Sequence, residues 1–315
     1  MENLIFSLNA TVPVFLMMAL GLLFRKIGWI DEDFATKLST FVFRIPLPLM
    51  LFHDLATVDF VKAWNTFFVL FCFLATVVSI LISYGISCLW KDKDIQGEFI
   101  QSSYRSSSAI LGIAFIQNIY GTSGMAPLMI LASVPLYNVM AVTVLSFFKP
   151  GEERRVDKKV LKKTLIGILK NPIILGIAAG LVWSLLKLPM PGILNKVTDN
   201  LGNVATPMGL LAMGAGFDIR KAFARVKPAV TASVIKLLGF TSLFLPLAAA
   251  CGFRDEEMVA ILVMLGSSTT VAGYVMAKNM GHEGVLTASI VMLTTMFSAF
   301  TLTFWLFLLK SFGLI

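Results

Sequence analysis

Charge is what this sequence is poorest in. Of its 315 residues only 14% are Asp, Glu, Lys or Arg, whereas 57% are hydrophobic and the mean hydropathy is +0.85. A soluble domain cannot hide that much apolar surface, so the composition excludes one and predicts an all-α polytopic membrane protein. The cysteines (Cys72, Cys88 and Cys251) fall in or beside apolar runs without metal-ligand spacing, which argues against a zinc site and a disulfide framework. A Gly-rich phosphate loop, a Walker motif, a Ser-His-Asp set and an HExxH helix are all missing, so neither an enzyme nor a cofactor is implied. Met1-Glu2-Asn3 lacks a basic start and the first apolar run lacks a small-residue cleavage site, which predicts no secretory leader.

Long apolar runs are abundant. At about 20 apolar residues per crossing, they predict ten transmembrane helices at 4–24, 34–55, 65–90, 99–118, 124–147, 171–187, 192–214, 228–250, 257–278 and 285–310. The net charge of +8 is distributed as an orientation signal rather than as a nucleic-acid surface. With the N-terminus outside, Arg25, Lys26, Lys91, Lys93, the basic residues from Lys149 to Lys170, Arg220, Lys221, Arg225, Lys227 and Lys278 fall inside. Lys62, Lys187, Lys196, Arg254 and Lys310 fall outside. Both termini are then non-cytoplasmic, in a multi-pass protein of the cell inner membrane. The basic loop 149–170 separates residues 1–148 from 171–315, five spans each. An odd number of spans makes the second half run opposite to the first, a 5+5 inverted repeat. Within the loop, Lys158 to Ile166 reads as an amphipathic helix, either an anchor to anionic lipid or a regulatory surface.

Polar residues interrupt two of these runs. Gly266-Ser267-Ser268-Thr269-Thr270-Val271-Ala272-Gly273-Tyr274 places four hydroxyls between glycines, and Ser106-Ser107-Ser108-Ala109-Ile110-Leu111-Gly112 resembles it. A shift of 160 positions lays Ser107-Ser108 on Ser267-Ser268, Gly121 on Gly281 and Gly124 on Gly284. Paired polar interruptions in two halves point to a secondary transporter's midplane site, with spans four and nine as broken crossover helices. The alternative is that small hydroxyl residues merely let membrane helices pack closely. A second match, offset by 159, sets Pro48 in span two against Pro207 in span seven, and both are expected to bend their helices.

Ionisable residues inside spans are costly and mark function by default. Arg44 lies about ten residues into span two, or roughly 15 Å of helix rise, near the bilayer centre. Arg105 adjoins the first serine stretch and Lys236 lies in span eight. Three cations and almost no acid at that depth predict an anionic substrate. The alternative for Arg105 and Lys236 is that they snorkel to the headgroups, as Lys37 is expected to do. Among the few acids, Asp199 is the ion-coupling candidate; His53 and Asp54 sit nearer the outer end of span two. Asn138 in span five needs a partner at midmembrane, either the backbone of a broken helix or the substrate.

Taken together, several stretches resemble the auxin efflux carrier family of bacterial and plant permeases, which includes malate and malonate carriers. They are Ile45-Pro46-Leu47-Pro48-Leu49-Met50-Leu51-Phe52, Val134-Pro135-Leu136-Tyr137-Asn138, Lys170-Asn171-Pro172, and Ala205-Thr206-Pro207-Met208-Gly209-Leu210-Leu211-Ala212-Met213-Gly214. The resemblance implies a scaffold of helices 1, 2, 6 and 7, a transport unit of helices 3–5 and 8–10, and a possible homodimer. It departs from the family at the two breaks, where serine, threonine and glycine replace the usual asparagine and proline. The expectation is a secondary carrier of small organic anions, dicarboxylates among them, driven by a proton, sodium or a counter-anion. Its candidate site is Arg44, Pro48, Arg105, Ser106, Ser107, Ser108, Gly112, Asn138, Ser267, Ser268, Thr269, Thr270, Gly273 and Tyr274. An anion channel would spread polarity along several spans, and a ligand sensor of transporter fold would pass its signal to an appended domain; these are the alternatives.

Overall fold

The computed structural model describes residues 13, 16–57, 64–108, 116, 119–120, 125–151, 166–167 and 169–315, and all regular structure among them is helical. Helix α1 covers 16–26. It is followed by α2 (Glu32–Arg44), α3 (Pro46–Ala56), α4 (Thr66–Ser87), α5 (Gln96–Tyr104) and α6 (Ala126–Phe147). The second half comprises α7 (Pro172–Leu185), α8 (Gly192–Asn203), α9 (Ala205–Ala215), α10 (Ile219–Ala224) and α11 (Val226–Val234). A π-helical turn at Ile235–Gly239 leads into α12 (Phe240–Ala250), then α13 (Asp255–Gly266), α14 (Val271–Asn279) and α15 (Val285–Ser311).

Six of these helical stretches are long and apolar enough to cross a membrane: Glu32–Ala56, Thr66–Ser87, Ala126–Phe147, Val226–Ala250, Asp255–Asn279 and Val285–Ser311. Large apolar side chains such as Leu70, Phe73, Leu81, Leu185, Phe300 and Phe307 stand exposed around the outside. A water-soluble monomer does not tolerate that much exposed apolar surface; in lipid it is solvated.

Local sequence explains the interruptions. Asp31 caps α2, its Oδ1 accepting from the Phe34 N–H at 2.7 Å, with Glu32 and Asp33 in the first turn. The helix stops at Ile45 because a following proline disfavours helical backbone there; Ile45 sits at φ −125°, ψ −68°, and Pro46 opens α3. The matching interruption is at Val204, which joins α8 to α9. Pro48 and Pro207 are each third in their helices, where a missing N–H costs no helical bond. Pro46 rather than Pro48 therefore makes the bend in span two.

Glycines set how closely the first three helices meet α7–α9. A Cβ on Gly180 would lie 2.8 Å from the Phe52 carbonyl oxygen, and one on Gly176 would overlap the Pro48 backbone. Gly202 meets Met50 in the same way, while Gly21 and Gly214 bring α1 and α9 backbone to backbone. Close backbone approach through small residues is the usual route to tight helix association in lipid. The largest buried cluster is continuous across these seams: it takes in Leu51, Ile173 and Met213 together with Phe68, Met129, Phe244, Ile261 and Val291 of α4, α6, α12, α13 and α15.

Candidate functional site

A helix broken inside a bilayer leaves N–H and C=O groups that lipid cannot satisfy, so they must find partners within the protein. Span four leaves helical geometry at Arg105, whose ψ is 143°, and span nine leaves it at Ser267, whose ψ is 163°. The two breaks meet: the Ser107 N–H donates to the Ser268 carbonyl at 2.9 Å. At the end of α13, the Met264 carbonyl accepts from the Ser106 hydroxyl and, at 3.3 Å, from the Tyr137 hydroxyl. Lys236 Nζ donates to the Leu265 carbonyl at 2.5 Å and to the Ser106 hydroxyl. Thr269 donates its N–H to Thr294 Oγ1 at 3.1 Å and its hydroxyl to the Ser102 carbonyl at 2.7 Å. The Thr270 hydroxyl caps α14 by accepting from the Ala272 N–H at 3.3 Å.

Beside this crossing lies a cavity of about 50 Å³, room for a few waters or a small anion. Arg105, Ser106, Ser107, Tyr137 and Asn138 line it, as do Thr270, Val271 and Ala272 at the start of α14. Leu47, Met50, Leu51 and Asp54 of α3, with Thr206 of α9, form its other wall. Arg105 is buried; its Nη2 donates to Asn138 Oδ1 at 2.9 Å and its Nη1 to Met276 Sδ at 2.9 Å. Asn138 Nδ2 in turn donates to the Val134 carbonyl at 2.9 Å, so both ends of the amide are held. Arg105 Nε has no hydrogen-bond partner among the described residues. No carboxylate pairs with Arg105 or Lys236 among those residues either.

The family described as membrane transport protein matches residues 6–306. The chain belongs to the membrane transport protein family. An uncharacterized transporter from Methanothermobacter thermautotrophicus (strain Delta H) is 20% identical over 306 residues, which cover 95% of this chain and 97% of that one. Family membership and the apolar helices together make this membrane transport protein a multi-pass one.

The sequence-predicted residues of the membrane transport protein divide three ways. Arg105, Ser106, Ser107, Asn138 and Thr270 are brought together at the cavity. Ser108, Ser267, Ser268, Thr269, Gly273 and Tyr274 are not in its lining. Ser268 and Thr269 bridge the breaks, Gly273 accepts from Gln101 Nε2 at 2.9 Å, and Ser108 and Ser267 are buried hydroxyls without partners among the described residues. A third group is turned away: Arg44 is exposed in the last turn of α2, Pro48 packs on α7, and Asp199 is half-buried on α8, outside the cavity. Arg44 is therefore not brought to the cavity, because its azimuth on α2 faces outward. Gly112 lies outside the described residues, as do Gly121 and Gly124.

Lys236 does not snorkel; it is wholly enclosed at 0% exposure, and Arg105 is nearly so at 2%. Lys37 does behave as a surface residue, exposed and 2.5 Å from Asp33. Gln101 was not singled out by sequence, yet it joins α5 to the Gly273 carbonyl. Glu98 was missed as well: it accepts from the N–H groups of Gly284 and Thr287 at 2.9 Å each, so this buried acid neutralises the start of α15. Its signal, an acid at the edge of an apolar run, is indistinguishable in sequence from an interfacial one.

Proposed function

We propose that this membrane transport protein is a secondary active carrier of small organic anions, malate- or malonate-like carboxylates among them, working by alternating access. The observation that carries the reading is the cavity wall where the Arg105 guanidinium, held by Asn138, stands beside the start of α14. A buried guanidinium without a carboxylate partner among the described residues suits a bidentate anion, and the positive end of a half-helix favours the same charge.

The carrier reading includes ten spans in two inverted five-helix repeats, with both termini non-cytoplasmic. Spans 1, 2, 6 and 7 form a scaffold that bears a homodimer interface, and spans 3–5 and 8–10 form the moving unit. The glycine-mediated seams among α1, α3, α7, α8 and α9 support a rigid scaffold. Asp54, facing the same cavity as Arg105, replaces Asp199 as the ion-coupling residue. Its carboxylate opposes an incoming anion by Coulomb repulsion, and its protonation removes that opposition, which couples anion binding to a proton.

Purified protein in liposomes, loaded with unlabelled malonate and given labelled malonate outside, tests the reading. Saturable counterflow is expected. Absence of uptake or exchange across a panel of mono- and dicarboxylates would end it.

A further inference from the structure

Lys236 is a buried charge that the anion cavity does not use: it is absent from the cavity lining, and the hydrogen-bond partners of its ammonium among the described residues are all oxygens. Its ammonium donates to the Ser106 hydroxyl, to the Leu265 carbonyl at 2.5 Å and, at 3.5 Å, to the Met264 carbonyl. Those carbonyls belong to the last turn of α13, whose backbone acceptors were freed by the break at Ser267. The C-terminal end of a half-helix carries partial negative charge, so this corner has the chemistry that holds a monovalent cation: backbone carbonyls, a hydroxyl and a helix dipole.

The lysine reaches that corner from a distorted segment. Ile235–Gly239 is a single π-helical turn within an otherwise α-helical span, with the Phe240 N–H bonded to the Ile235 carbonyl. Such turns are rare and collect at functional positions. Lys236 is 0% exposed and has no carboxylate partner among the described residues, so these oxygens are what offset the loss of its hydration. A lysine needed only to fill space would be better replaced by leucine or methionine.

We propose that Lys236 is a resident cation, tethered in a cation site between the two helix breaks and taking the place that a free sodium ion would otherwise occupy. The ammonium fastens Ser106 of the first break to Leu265 of the second half, so the crossing is assembled without a soluble metal ion. This inference holds whichever solute is carried. It deepens the carrier reading in one respect, removing sodium at this corner as the driving ion.

The test uses the full-length protein in detergent or nanodiscs, and its thermal midpoint in sodium, lithium or choline chloride at equal ionic strength. Wild type is expected to show the same midpoint in all three. Lys236→Ala is expected to melt lower in choline. It should recover by about 3 °C when sodium or lithium exceeds its dissociation constant tenfold, and likewise with ethylammonium, which restores a tethered-size cation. Stabilisation of wild type by sodium over choline would overturn the proposal and needs no variant. So would a Lys236→Ala protein indifferent to sodium, lithium and ethylammonium alike. Neither result bears on counterflow of organic anions, so failure here is separable from failure of the carrier reading.

Discussion

At the scale of single residues, Arg105 and Asn138 form one unit. The guanidinium is oriented by the amide oxygen, and the amide is oriented by the Val134 carbonyl. Arg105→Met keeps the apolar bulk and removes a buried cation, so the protein is expected to fold while anion affinity falls about 10- to 100-fold, the loss of one charge-assisted contact. Ligand-dependent thermal shift measures this, and an unchanged affinity would remove Arg105 from the site. Arg105→Lys is expected to recover only part of the loss, because a point ammonium cannot reach Asn138 and Met276 while also presenting a planar fork. Asp54 gives the pH dependence. Anion binding to wild type should strengthen as acidification neutralises the carboxylate, whereas Asp54→Asn should bind with a flatter profile. A profile that stays equally steep in Asp54→Asn would remove Asp54 as the coupling group.

At the scale of elements, close packing and capping decide which substitutions hurt. Gly176→Val drives a side chain into the Pro48 backbone and is expected to cost about 1–3 kcal/mol, seen as a lowered thermal midpoint. Gly85→Ala, on α4 with open space around it, is expected to be neutral or to stabilise by up to about 1 kcal/mol. Similar losses from both would mean that close approach is not what Gly176 provides. Much of this layer was legible in the sequence. The offset of 159 between Pro48 and Pro207 corresponds to helix interruptions at Ile45 and Val204, the same distance apart. Gly281, which the 160-residue shift singled out, closes span nine in left-handed geometry: its φ is +89°, and the His282 N–H returns to the Ala277 carbonyl at 3.0 Å. The serine stretches do mark the breaks, but their registers differ, Arg105 and Ser267 being 162 residues apart where similarity suggested 160. What could not be read was azimuth. Apolar runs carry little periodicity when lipid and core are equally apolar, so nothing in sequence separated outward Arg44 from inward Arg105. For the same reason the hydroxyls assigned to substrate turned out to be divided between cavity and backbone, since a broken helix also needs donors.

At the scale of the whole molecule, two native cysteines report orientation without any added label site. Cys88 and Cys251 are exposed and Cys72 is buried. With both termini outside, Cys251 lies at the outer end of span eight and Cys88 at the inner end of span three. A membrane-impermeant maleimide is expected to label Cys251 in intact cells, Cys88 only after permeabilisation, and Cys72 in neither case before denaturation. Labelling of Cys88 from outside would invert the orientation.

The hydrogen bond from Ser107 to Ser268 also bears on how the chain is made. Its two ends are synthesised far apart, so the break after α5 is made before the residues that pair with it exist. Until the segment joining α13 to α14 is inserted, that break leaves peptide groups without those partners, a state that surveillance proteases and lipid-facing chaperones can recognise. An amino-terminal half expressed alone should therefore be short-lived, and co-production of the carboxy-terminal half should rescue it.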